Sequence, residues 1–247
     1  MLSSGKAGAK MLCVFLFPEM RPEKIDMADG ASTTNRNDSE RVRSLVIQAA
    51  EQATELVASP EVAARWNEPS ALEGMTVGAL AAHLIRATGA TLAYLDRTDP
   101  SAQPEALLTK VTYFHAAVDS PIHDQIKEVS AAEASAGHAE LVTKSRRLAQ
   151  DLAVRLMAEP PDRLVGALGK RMLTLDDFCR TRMIETLMHI DDLAHSVGLP
   201  TPDLDSDGTG EVIDILVGIA RHLHGDWAVI HALARAERST TNVFPVF

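Results

Sequence analysis

The sequence predicts an all-α protein, an antiparallel bundle of helices, and three observations carry that expectation. Hydrophobic residues make up 46% of the 247 positions and aromatics only 4%, with Ala and Leu leading the apolar set. Ala and Leu favour helix, whereas β-branched and aromatic residues drive strands. Apolar positions recur at helical spacing in segment after segment,. Start residues and Pro or Gly stops punctuate those segments, as in a bundle with short connections.

Residues 1–37 show no sustained period and are rich in small and polar residues, which predicts a disordered N-terminal extension,. Lys6 and Lys10 precede the apolar run Met11–Phe17 and imitate a secretion signal. That run is at the short limit, and Pro18-Glu19-Met20-Arg21 offers no small-residue cleavage site, so the expected compartment is the cytoplasm,. Met27-Ala-Asp-Gly would make an ordinary start. The bundle domain is expected over residues 38–240, followed by a tail, 241–247.

The first helix should begin near Asp38 or Ser39 and run to Val57, with Val42, Leu45, Val46, Ala49, Ala53 and Leu56 on its apolar face,. Ser59-Pro60 stops it. Thr76 is a good N-cap for a helix from Val77 to about Leu95,. After a loop with Asp99-Pro100 and Pro104, residues 105–118 read as helical. Residues 133–157 read as one long amphipathic helix, stopped by Pro160-Pro161. Thr174 opens the next helix, Asp176 and Asp177 suit its positive end, and Gly198 and Pro200 close it,. Residues 209–236, capped by Asp207, read as a last helix. No strand pair or internal repeat is legible. The apolar tail Val243–Phe247 is expected in a groove between helices.

The formal charge of −10 comes without a basic stripe, which argues against a nucleic-acid partner,. No apolar run approaches the roughly 20 residues of a membrane span. Cys13 and Cys179 make neither a disulfide framework nor a zinc-type CxxC pair,.

The chemistry concentrates in the helix 175–197. Met183, Ile184, Leu187, Met188, Ile190, Leu193, Ala194 and Val197 make most of its circumference apolar, so it should be largely buried,. Yet Arg182, Glu185, His189, Asp192 and Ser196 follow at spacings of 3, 4, 3 and 4. They project into one arc of about 80°. Buried charge without partners is costly, so something must satisfy this stripe. Glu185 and His189, four apart, can reach one cation together. His83, on the helix capped by Thr76 with Ala79, Ala87 and Ala90 beside it, is the best third ligand. A His, Glu, His set leaves a position open for water or substrate, the catalytic arrangement of zinc. The same spacing also serves a solvated face of helix ion pairs, and spacing alone does not decide between the two.

Other patterns are absent or incomplete. There is no HExxH, no Glu-x-x-His pair, no phosphate-binding glycine loop and no G-x-S-x-G elbow,. Asp203, Asp205, Asp207, Gly208 and Asp214 imitate a calcium loop, but Asp214 replaces the bidentate Glu and Gly210 takes an apolar position,. His222 and His224, two apart on a helix, read as surface histidines,.

Trp66-Asn-Glu-Pro-Ser-Ala-Leu-Glu-Gly-Met-Thr-Val-Gly-Ala-Leu-Ala-Ala-His-Leu84 resembles the first motif of the DinB-like, mycothiol-dependent maleylpyruvate isomerase family. Arg182-Met-Ile-Glu-Thr-Leu-Met-His-Ile-Asp-Asp-Leu-Ala194, followed by Gly198-Leu-Pro200, resembles the second. The resemblance extends over about residues 38–240. It implies a four-helix bundle, here with one or two additional helices. It also implies one zinc-like divalent ion held by His83, Glu185 and His189, the trio reached from geometry. A low-molecular-weight thiol cosubstrate, typically mycothiol, is implied as well, its pKa lowered by the metal.

The isomerase that names the family carries a further C-terminal α/β domain, for which the residues after the last predicted helix leave no room. The expectation is therefore a thiol S-transferase, or another thiol-dependent reaction on a small electrophile, in a monomer or homodimer. A non-catalytic metal- or ligand-binding protein of the same fold and a plain helical interaction module are the alternatives. Arg182 and Asp192 are candidates to orient the ligands or meet substrate.

Overall fold

A computed structural model describes residues 33–117, 123–168, 170–238 and 243–246. The chain is mostly helical. In order come α1 (Thr33–Val57), α2 (Pro60–Ala64), α3 (Val77–Arg97), β1 (Ala106–Leu107), α4 (Lys110–Ala117), α5 (His123–Ala134) and α6 (His138–Ala158). Then follow β2 (Leu164–Leu168), β3 (Arg171–Thr174), α7 (Leu175–Val197), α8 (Ser206–His224) and α9 (Asp226–Ala234). Most of the N-terminal extension expected over 1–37 lies outside the described residues.

The long helices α1, α3, α6 and α7 enclose the core, and residue contacts fix their directions. His83 on α3 meets His189 on α7; eleven residues further along α3, Tyr94 meets Phe178, eleven back along α7. These two helices are therefore antiparallel. Arg43 bonds the Leu156 carbonyl while Thr54 meets Ser145, so α1 and α6 are antiparallel as well. Gly89 faces Leu148 and Asp96 pairs with Arg155, so α3 and α6 run the same way. It follows that α1 and α7 also run the same way. The start of α1 is tied to that of α7 by the buried pair Arg43–Asp176, whose Nε to Oδ1 distance is 2.9 Å. The Arg43 guanidinium also binds the Leu156 carbonyl, which the end of α6 leaves without a helical partner, and the Pro160 carbonyl just beyond it,.

Four expectations are corrected. A three-stranded sheet, in the order β1-β3-β2, interrupts the helices. Here β1 pairs parallel with β3, β2 pairs antiparallel with β3, and the register slips between Gly166 and Leu168. These strands are two to five residues long and built largely from Ala, Leu and Gly, so neither alternation nor composition marks them,. Part of the predicted helix 105–118 is β1 and a turn. The helix predicted over 133–157 is two helices, parted at Gly137 with φ +92°. The last helix starts at Ser206, is capped by Asp205 rather than Asp207, and breaks at Gly225 with φ +81°. Because the Asp205 carboxylate accepts the Asp207 N–H at 2.8 Å, the calcium-like run is a helix cap.

In the tail, Val243 is buried against Ala220 and Val229 of α8 and α9. His222 and His224 are exposed.

Candidate metal centre

The start of α3 is set by the residues before it. Thr76 Oγ1 accepts the Ala79 N–H at 3.1 Å, capping the helix,. Just upstream, the Trp66 ring lies directly over Gly78, where a Cβ would come within 2.6 Å of the indole. The Gly78 N–H donates to the Trp66 carbonyl at 2.8 Å, and the indole N–H donates to the Ala134 carbonyl at 3.3 Å. The run from Trp66 to Gly78 is thus one locked corner. It fixes the rotation of α3 and turns His83, in the second turn, toward α7.

Helix α7 is held at both ends. Thr174 Oγ1 accepts the Asp177 N–H at 3.1 Å, and Gly198 ends the helix in the left-handed conformation at φ +74°,. Most of its residues are buried; Asp191 and His195 are exposed, and so is Met188, expected to be buried, at 47%. The polar stripe goes inward with the rest. Arg182 is 2% exposed, Glu185 5% and His189 1%, and His83 opposite is 3% exposed. Their burial removes the solvated-face reading of the spacing.

The structure brings His83, Glu185 and His189 together. The Nε2 atoms of the two histidines lie 3.1 Å apart, and a Glu185 oxygen lies 3.7 Å from His189 Nε2. One ligand atom from each residue falls within 4.8 Å of the other two. Two donors on one tetrahedral zinc, each at about 2.1 Å, would be about 3.4 Å apart. The trio therefore fits a divalent ion with small adjustments. Without one, the facing Nε2 atoms must share a proton, and a divalent cation can take that proton's place.

The surroundings treat the two imidazoles differently, holding His83 neutral and favouring a proton on His189. Burial, then His189 and the guanidiniums of Arg86 and Arg182, hold His83 well below the usual imidazole value. Burial pulls His189 down too, but Asp192 and Glu185 outweigh it and leave the value raised. Nδ1 of His189 is 3.1 Å from Asp192 Oδ2. A carboxylate only accepts, so Nδ1 carries a hydrogen and Nε2 is the nitrogen turned to His83 and Glu185,. Ser196, the last of the stripe, donates to the Asp192 carbonyl and accepts the Ala71 N–H.

Arg182 lies over the Phe178 ring, 5.1 Å from its centroid, and donates to the Tyr113 hydroxyl at 3.4 Å. Its place is one turn from Glu185, on the side of the centre facing α4.

Two neighbours escaped the sequence reading. Arg86, one turn beyond His83, has Nη2 3.4 Å from His83 Nδ1 and donates to Ser130 Oγ at 2.6 Å. Its i, i+3 spacing from His83 was the available signal. Tyr113 comes from α4, and no spacing could connect it to Arg182. Cys179 is fully buried on α7, and burial first, then Asp176, push its thiol up to about 12. It is no source of thiolate.

Fold and site together define a helical protein with a buried His, Glu, His trio, able to hold a metal ion, between two antiparallel helices. The family model of the mycothiol maleylpyruvate isomerase N-terminal domain matches residues 46–194, and the chain belongs to that family. The matched span ends at Ala194, before α8 and α9. No curated protein and no solved structure matches the chain. No helix among the described residues is long and apolar enough to cross a membrane.

Proposed function

We propose that this protein is a metal-dependent, low-molecular-weight-thiol S-transferase or isomerase, of mycothiol type, acting on a small electrophile. The observation that carries the reading is the convergence of His83, Glu185 and His189 within 4.8 Å in the interior. Family membership supports the thiol. We read α1, α3, α6 and α7 as the DinB-like four-helix bundle, with α8 and α9 as additions.

A zinc-like ion held by the three residues would act as a Lewis acid that lowers the pKa of the cosubstrate thiol. Every other role falls to the chain. His83 and His189 offer neutral nitrogens, and Glu185 supplies one negative charge. Asp192 holds the His189 ring in the tautomer that leaves Nε2 free. Arg182, packed on Phe178 and Tyr113, sets positive charge beside the centre, where it can orient Glu185 or meet an anionic substrate group,. Burial excludes water and strengthens each of these interactions.

In the transferase form the thiol loses its proton, an S–C bond forms, and the leaving group departs with its electron pair. In the isomerase form the thiol adds and is eliminated again, unchanged. The test is adduct formation between mycothiol and a chlorodinitrobenzene electrophile, followed by absorbance. The reading expects turnover above the uncatalysed rate that disappears in His189→Ala. Metal-loaded protein with no turnover would instead support a non-catalytic metal-binding role. Burial favours that second reading, since none of the three ligands is more than 5% exposed.

A further inference from the structure

A groove of about 530 Å³ runs between α3, α5 and α6, behind His83. Its floor is apolar: Gly89, Ala90 and Ala93 of α3, Ile126 of α5 and Leu148 of α6. Three cations line it, Arg86, Arg97 and Lys144, and among the described residues no carboxylate does. The volume lies in the range of small-molecule sites, about 300–1,000 Å³. In a chain of net charge −10, three cations around one apolar hollow are a local reversal of sign,.

The cations are only partly occupied. Arg86 directs Nη2 to Ser130 Oγ, the Ile126 carbonyl and His83 Nδ1, while its Nε and Nη1 make no hydrogen bond with any described residue. Arg97 lies 4.2 Å from the Tyr94 ring centroid and donates from Nε to the Ala93 carbonyl. Lys144 has Glu133 at 3.4 Å with its own side chain 45% exposed, a contact easily exchanged for a ligand,.

We infer that this groove binds a free amphiphilic carboxylate, its apolar body on the Gly89–Ala93 floor and its anionic head among Arg86, Arg97 and Lys144. A small apolar floor takes a chain or ring, and guanidinium groups pair with carboxylates. Because Arg86 also touches His83, the ligand would sit one side chain from the metal centre. This inference does not rest on the thiol chemistry. Binding is measured without turnover, so either reading can fail alone.

The experiment is calorimetric titration of the full chain with decanoate, decanol and decyltrimethylammonium. Decanoate should bind with a stoichiometry of one and at least about tenfold more tightly than the ammonium compound, since charge decides the difference. The double variant Arg97→Gln, Lys144→Gln should lose most of that preference. Ala93→Trp, at an exposed position that tolerates a larger side chain, should block binding while leaving the melting temperature and metal content unchanged. Absent or non-saturable binding, equal affinity for the three compounds, or undiminished decanoate binding in Ala93→Trp would each overturn the inference.

Discussion

Asp192 Oδ2 lies 3.1 Å from Nδ1 of His189, one turn back along the same helix. This contact selects the tautomer in which Nε2 faces His83 and Glu185. Removing the charge while keeping the shape should weaken the acceptor and leave the fold intact. Asp192→Asn is expected to lower metal affinity about 10- to 100-fold, measured by competition with a chromophoric chelator. Affinity equal to wild type would make Asp192 a purely structural partner.

Trp66 and Gly78 set the rotation of α3. A methyl at position 78 would meet the indole at 2.6 Å, so the ring must move. Gly78→Ala should destabilise the protein by about 1–3 kcal/mol, the usual cost of overpacking. In a Trp227→Phe background it should also shift the Trp66 fluorescence. An unchanged spectrum and melting temperature would show that the corner is not rigid.

Glu211 joins α8 to α1 and α7 through Arg41 and Arg180, the latter at 3.0 Å. Burial pushes its carboxyl up, but Arg41, Arg180 and Lys110 outweigh that and hold it below its ordinary 4.5. Its contribution is therefore full above pH 4.5 and lost as pH falls through the lowered folded value. Glu211→Gln should lower the melting temperature at pH 7 by roughly 2–10 °C, from about 1–3 kcal/mol. The difference should shrink steadily as pH falls below 4.5 toward the lowered folded value,. A difference that stays constant with pH would show that the charge is not what matters.

Cys179 is fully buried, with its thiol pushed to about 12. In a Cys13→Ser variant, a disulfide reagent at pH 8 should label no thiol in native protein and one per chain in denaturant. Fast labelling of the native state would show that the core around Phe178 opens readily.

Much of the site was legible in the sequence because both of its helices are marked at their ends. Thr76, Thr174 and Gly198 act where their residue types predict, and those caps fix which residues share a face. The inward polar stripe was legible because it contradicts the greasy helix that carries it. What sequence could not supply was tertiary. Tyr113 reaches Arg182 from a helix 69 residues earlier, a relation without a period. The strands are too short and too helix-like in composition to announce themselves. At Gly137 and Gly225 the apolar pattern runs on through the break, and only their positive φ angles, which few side chains tolerate, part the helices,.

The central claim is that His83, Glu185 and His189 hold one divalent ion. The most direct measurement is elemental analysis of protein purified without added metal, wild type beside His83→Ala, Glu185→Ala and His189→Ala. The account predicts close to one equivalent of zinc, or a similar divalent ion, per wild-type chain, and clear loss in each variant with helical content retained. A wild-type protein that neither carries a divalent ion nor takes one up, or variants with undiminished occupancy, would contradict it.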